Sequence, residues 1–151
     1  MLAKDIMTRE VITAKREMPV VEVINALLQN KITGMPVVDS EGNLVGIISE
    51  SDLIYKEKSV LPLSAYWMGK ADFVKACRKA LATSVEEAMT RQVYSVTEDT
   101  PVEDIATLMI ERGIKRVPVV RGRKVIGIIT RADVMKAIVA EWPEMVSQPS
   151  W

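Results

Sequence analysis

The sequence predicts a mixed α/β (α+β) fold of two β-α-β-β-α units, with their sheets packed together and the helices outside. Three observations predict it. One unit recurs along the chain, each copy alternates short apolar strands with amphipathic helices, and 48% of the 151 residues are hydrophobic, ample for a packed core.

The repeat is visible before any local structure is read. Met7-Thr8-Arg9 returns as Met89-Thr90-Arg91, an offset of 82 residues. At that offset Val11 meets Val93, Pro19 meets Pro101, Ile32 meets Ile114, and Pro36-Val37-Val38 meets Pro118-Val119-Val120. One residue is then lost in a turn, after which Gly46-Ile47-Ile48 meets Gly127-Ile128-Ile129 and Asp52 meets Asp133. The expected organisation is one unit over residues 1–57, an insert over 58–82, a second unit over 83–141 and a tail over 142–151.

Within each copy a short strand comes first, Val11-Ile12-Thr13 and then Val93-Tyr94-Ser95-Val96. A helix follows, opened by a proline whose missing N–H costs nothing at that position. Thr100-Pro101-Val102-Glu103 reads as a capping box, while Met18 leaves the first copy a weaker start. Val20, Ile24 and Leu27 share one helical face, as do Val102, Ile105 and Met109. Two strands come next, turned by Ser40-Glu41-Gly42-Asn43 in the first copy and Gly122-Arg123 in the second. The strands containing Val45-Gly-Ile-Ile and Ile126-Gly-Ile-Ile are apolar on both faces, so cover on both sides is expected. Second helices begin at Ser49 and Thr130. A copy of about 50 residues has little core alone, which predicts one fused globule.

The insert contains Phe73, Cys77 and Ala80/Leu81 at the spacing of one amphipathic helix. Leu61-Pro-Leu-Ser-Ala-Tyr-Trp-Met is apolar for a loop, suited to packing on its own subunit or to an interface. Trp142 to Trp151, with two prolines, reads as a tail or docking strap.

Composition removes several classes of function. Lys plus Arg equals Asp plus Glu at 20 each, so no net field recruits nucleic acid or acidic lipid. Without histidine there are no imidazole bases or His metal ligands. Asp52 and Asp133 have no nucleophile–base pair or metal-ligand cluster beside them, so catalysis is not expected. One cysteine allows no internal disulfide and suits a reducing compartment. The N-terminus lacks a signal-peptide stretch, and no apolar run approaches the roughly 18 residues of a membrane span. A cytoplasmic location is expected, without membrane or nucleic-acid partners.

The most informative segments are Gly46-Ile-Ile-Ser-Glu-Ser-Asp52 and Gly127-Ile-Ile-Thr-Arg-Ala-Asp133. Each sets a hydroxyl where a strand becomes a helix, with a carboxylate three residues on. Two readings stand. A hydroxyl and carboxylate in that pattern can simply cap the helix. Alternatively, the helix N-terminus and hydroxyl hold a phosphate, and the carboxylate accepts hydrogen bonds from a sugar diol. Together those groups describe the monophosphate end of a nucleoside. Ile32-Thr33-Gly34-Met35-Pro36 and Ile114-Lys115-Arg116-Val117-Pro118 lead into the next strand and face the same region. Lys115, Arg116 and Arg131 give the second copy three cations, against Thr33, Gly34 and Glu50 in the first, so the second is the expected anion binder. Arg121, Arg123 and Lys124 on the hairpin read as solvated.

The paired Gly-Ile-Ile-Ser/Thr-x-x-Asp ends, with their Met-Pro-Val-Val and Val-Pro-Val-Val strands, resemble a tandem CBS-domain pair, or Bateman module. The resemblance covers residues 4–57 and 83–140 and implies a stand-alone module. It implies a pseudo-twofold between units, clefts between them, and regulatory rather than catalytic work on AMP, ADP, ATP, other adenosine derivatives or S-adenosylmethionine. It also implies a homodimer forming a four-unit disc, acting on an unidentified regulated protein. By position, Ser49 and Thr130 match the family's phosphate-side hydroxyls, and Asp52 and Asp133 its ribose carboxylates. Lys115 and Arg116 match its phosphate-reaching cations, with Arg131 beside Thr130. Ile12, Thr13, Tyr94, Ser95, Ile32 and Ile114 match positions lining the base, with Gly34, Pro36 and Pro118 next to them. The competing expectation is an interaction protein with vestigial clefts, working by dimerisation or partner docking.

Overall fold

The computed structural model describes residues 1–55, 61 and 69–141. The elements, in chain order, are α1 (Ala3–Ile6), β1 (Ala14–Lys15), α2 (Val20–Asn30), β2 (Gly34–Val38) and β3 (Leu44–Ser49). A π-helical turn (Ser51–Tyr55) follows, then α3 (Lys70–Leu81), α4 (Val85–Ala88), α5 (Val102–Arg112), β4 (Arg116–Arg121), β5 (Lys124–Thr130) and α6 (Arg131–Glu141).

These elements form two compact units that do not coincide with the repeats taken in chain order. One unit holds residues 12–93; the other holds 1–11 together with 94–151. The leading segment of each repeat is therefore packed into the unit of the other. The hydrogen bonding explains why. Ala3 N donates to Thr100 O at 2.8 Å and Val102 N to Met1 O at 3.0 Å; at the same offset, Val85 N donates to Met18 O and Val20 N to Thr83 O, both at 2.8 Å. Met1 O and Thr83 O, just ahead of α1 and α4, thus accept from the first N–H groups of α5 and α2, which a proline-led start leaves without a side-chain cap.

In the 12–93 unit a three-stranded sheet runs β1-β2-β3, with β1 parallel and β3 antiparallel to β2. Its core includes Val20, Val23, Leu27, Met35, Val37 and Ile48, closed by Val85 and Met89 from the second repeat's leading segment. In the other unit β4 and β5 form an antiparallel pair. Ile105, Met109, Val117, Val119 and Ile129 are buried there beside Ala3 and Met7. Each fully buried Ile or Val contributes on the order of 1.5–3 kcal/mol.

Several expectations shift by a few residues. The first strand is Ala14–Lys15 rather than Val11–Thr13, and in the second copy it shrinks to a single parallel bridge, Val96 to Val119. The backbone comes into register with the central strand from Ala14 in the first copy and at Val96 in the second, both buried; Ile12 is exposed. The strand covered on both faces is β2, buried at every position, and β4 is buried from Val117 to Val120. In β3 and β5 buried and half-buried residues alternate, so the doubly apolar pattern there overstated the cover. Thr100 does not cap α5: the cap position is Pro101, without a side-chain bond, and Thr100 Oγ1 instead accepts from Thr97 N at 3.1 Å. Arg121 is not merely solvated, since its guanidinium meets Glu98 Oε1 at 2.8 and 3.0 Å.

Helix α2 is capped at its C-terminal end by Lys31 and α5 by Gly113, both left-handed, with φ of 53° and 61°. The second copy fills this C-terminal position with the residue that tolerates it; the first does not. The insert helix α3 keeps Phe73, Cys77, Ala80 and Leu81 half-buried, and none of its residues is fully buried. Of the apolar stretch Leu61–Met68 only Leu61 is described, and the tail from Trp142 lies outside the described residues.

Candidate functional site

Each unit gathers its own set of the residues singled out in the sequence. In the 12–93 unit, Gly34 pairs with Ser49 across β2 and β3, and Glu50 N donates to Thr33 O at 2.9 Å. In the other, Arg116 pairs with Thr130 and Arg131 N donates to Lys115 O at 3.2 Å. The segment entering the central strand is thereby fastened to the start of the following helix. Thr33, Gly34, Ser49 and Glu50 come together in one unit; Lys115, Arg116, Thr130 and Arg131 come together in the other.

The strand-end carboxylates do cap. Ser49 N donates to Asp52 Oδ2 at 2.9 Å and Thr130 N to Asp133 Oδ2 at 2.8 Å. In the second copy the box is reciprocal: Thr130 Oγ1 donates to Asp133 Oδ2 at 3.1 Å, and Asp133 N approaches Thr130 Oγ1 at 3.4 Å. Capping uses one oxygen of each carboxylate. The two readings of the motif are therefore compatible, since a second oxygen is left for another donor.

What happens to that second oxygen differs. Asp52 is 5% exposed, and its Oδ1 accepts from Thr90 Oγ1 at 2.9 Å. Ser49, 6% exposed, shares its hydroxyl with Ser51 at 2.8 Å. Asp133 and Thr130 are half-buried, and Asp133 Oδ1 takes no hydrogen bond among the described residues. Lys115, Arg116 and Arg131 stand on the strand pairing and turn that hold Thr130. Lys115 and Arg131 are exposed, and their side chains have no ion-pair partner among the described residues; Arg116 is half-buried.

The remaining residues sit as follows. Thr13, Ile32, Tyr94 and Ile114 are half-buried, whereas Ile12 and Ser95 are exposed. Tyr94 lies on the segment entering the Val96–Val119 bridge, and the Arg112 guanidinium stands 5.0 Å from its ring centroid. Such a cation–π contact holds a ring in place at about 0.5–1 kcal/mol. Pro36 and Pro118 are both under 2% exposed in mid-strand, opposite Ile47 and Ile128. Gly34 is also buried.

Thr90 and Arg112 went unassigned in the sequence. Thr90 was visible as part of the recurring Met-Thr-Arg, but pairing it with Asp52 requires knowing that the second repeat's leading segment enters the 12–93 unit. For Arg112 no sequence signal pointed to Tyr94.

Among the described residues no cluster of His, Cys, Asp or Glu could hold a metal ion, and no helix is long and apolar enough to cross a membrane.

Two β-α-β-β-α repeats, each with a hydroxyl–carboxylate turn at the end of its last strand, define a class of paired-repeat α/β modules. The CBS domain model matches residues 3–58 and 85–140, and the chain belongs to this family. It is 35% identical over 156 residues to an uncharacterized Methanocaldococcus jannaschii protein, covering 92% of both chains. It is 33% identical to the chloroplastic CBS domain-containing protein CBSX1 of Arabidopsis thaliana, spanning 85% of this chain and 62% of that one. Among solved structures, the CBS domain pair of protein MJ0100 in complex with 5-methylthioadenosine and S-adenosyl-L-methionine matches with a TM-score of 0.71 at 32% identity, covering 93% of this chain and 98% of that one. CBSX2 in complex with AMP matches with a TM-score of 0.73 at 30% identity, covering 93% and 97%.

Proposed function

We propose that this chain is a non-catalytic regulatory module that senses an adenine nucleotide or adenosine derivative, with AMP, ADP, ATP or S-adenosylmethionine as the candidate ligands. The observation that carries the reading is Asp133. One of its oxygens completes the cap of α6 with Thr130, and the other accepts nothing among the described residues; the backbone of that turn pairs with the segment of Lys115 and Arg116, and Arg131 follows Thr130. A carboxylate oxygen suits a ribose diol. A hydroxyl and several cations at a helix start suit a phosphate. Similarity to CBS pairs whose structures hold AMP, or 5-methylthioadenosine and S-adenosyl-L-methionine, supports the same ligand class.

Sensing requires the ligand to favour one arrangement of the protein over another, because binding shifts an equilibrium only through differential contacts. Isothermal titration with AMP, ATP and S-adenosylmethionine tests the proposal. Saturable heat from at least one of them is expected, and none from any of the three rejects it.

A second reading, an interaction protein acting by dimerisation or docking, draws on Ile110, Met135, Ile138 and Val139, which are 82%, 60%, 49% and 45% exposed on α5 and α6. Exposed apolar side chains on two helices of one unit suit a homodimer face. Light scattering of Met135→Glu/Ile138→Glu separates the readings: the variant loses self-association on either, but keeps its ligand only if the first holds.

A further inference from the structure

The two repeats use the same threonine differently. Thr90 N donates to Ile47 O at 2.8 Å and Ile47 N to Thr90 O at 2.9 Å; Thr8 N donates to Ile128 O at 2.9 Å and Ile128 N to Thr8 O at 3.0 Å. Each pairing lays a threonine along the strand whose end carries the capping carboxylate. From there Thr90 Oγ1 donates to Asp52 Oδ1 at 2.9 Å, while Asp52 Oδ2 is held by Ser49 N at 2.9 Å. Both oxygens of Asp52 are engaged. Thr8 is exposed and makes no such bond, so Asp133 keeps an open oxygen.

We infer that Thr90 is an internal stand-in for a ligand hydroxyl: a latch that closes the carboxylate of the 12–93 unit and leaves Asp133 as the primary site. The inference rests on the reading of these carboxylates as acceptors for a sugar diol, and adds which of them is available and why. A threonine hydroxyl and a ribose hydroxyl are the same donor to the same oxygen. A ligand entering the 12–93 unit must break a bond to a charged acceptor before making its own. The net worth of such a bond corresponds to about tenfold in affinity or more. At Asp133 no competitor stands in the way. Thr90 acts through Asp52 and is a positioning residue.

The test titrates AMP, and separately S-adenosylmethionine, into the full chain and four variants. Asp133→Ala silences the open site; Thr90→Val, Thr90→Ala or Thr90→Ser is then added to it. Wild type is expected to bind one ligand per chain, and Asp133→Ala to lose it. Adding Thr90→Val, which keeps the shape but not the donor, restores binding at least about tenfold over Asp133→Ala alone. Thr90→Ala does the same should the valine perturb folding, and Thr90→Ser, which retains the donor, restores nothing. Melting temperatures give a second readout: the Val and Ala variants melt lower without ligand and recover more on adding it. Asp133→Ala with unchanged affinity overturns the latch, as does a Thr90→Ser gain equal to that of Thr90→Ala, or no gain from either Val or Ala. A wild-type chain that binds neither probe rejects the ligand reading itself, and the latch with it.

Discussion

Thr8 and Ile128 exchange both of their backbone hydrogen bonds, at 2.9 and 3.0 Å, across 120 residues of chain. The contact makes residues 1–11 a structural part of the second repeat. Ala3, fully buried, and Met7, 9% exposed, belong to that unit's core. Deleting residues 1–11 is therefore expected to destabilise the unit of 94–141 by about 2–5 kcal/mol, the scale of a large core truncation. Urea denaturation with hydrogen exchange resolved by segment checks this: protection falls over β4, β5 and α6 and holds over β2 and β3. Uniform loss, or none, contradicts it.

The methionines beside these threonines set a second prediction. A Cβ on Gly46 would lie 2.5 Å from Met89 Sδ and 3.0 Å from Thr90 O; one on Gly127 would lie 2.5 Å from Met7 Sδ, and its three nearest atoms all belong to the Met7 side chain. A thioether moves more easily than a backbone carbonyl. Gly46→Ala is expected to cost about 1–3 kcal/mol and Gly127→Ala less. Equal costs in chemical denaturation contradict the argument.

Asp39 gives a pH-dependent prediction. Its Oδ1 accepts from Asn43 N and Glu41 N, each at 2.9 Å. The Asn43 backbone bond, foremost, holds its carboxyl below the ordinary value of 3.8, with smaller help from Glu41 and Arg16. A carboxyl with a depressed folded-state pKa stabilises the fold above 3.8 and loses that contribution as pH falls through the depressed value. Asp39→Ala should therefore melt lower than wild type at pH 7, with the gap closing as the buffer is taken below 3.8. A gap independent of pH contradicts this.

Much of the fold was legible because the repeat exposed it. Two copies of one apolar pattern located β2 and β4, the helices α2 and α5, and the strand-to-helix turns at Ser49 and Thr130. Residue spacing could not reveal which copy's leading segment packs where, since that depends on long-range pairing such as Thr90 with Ile47. The first strands were placed early because Val11–Thr13 is the more β-prone sequence, while register with Val37 selects the small residue Ala14. At the site, the sequence distinguishes the copies by charge, through Lys115, Arg116 and Arg131. The structure adds a second difference, the Thr90 hydroxyl on Asp52, which the sequence could not connect.

The central claim is that Asp133 receives an adenosine-type ligand. Equilibrium dialysis of labelled AMP and S-adenosylmethionine against wild type and Asp133→Ala tests it most directly. The account predicts saturable binding of at least one of them to wild type, weakened more than about tenfold by Asp133→Ala while circular dichroism shows the fold retained. Binding untouched by the substitution, or no saturable binding of either compound, would contradict it.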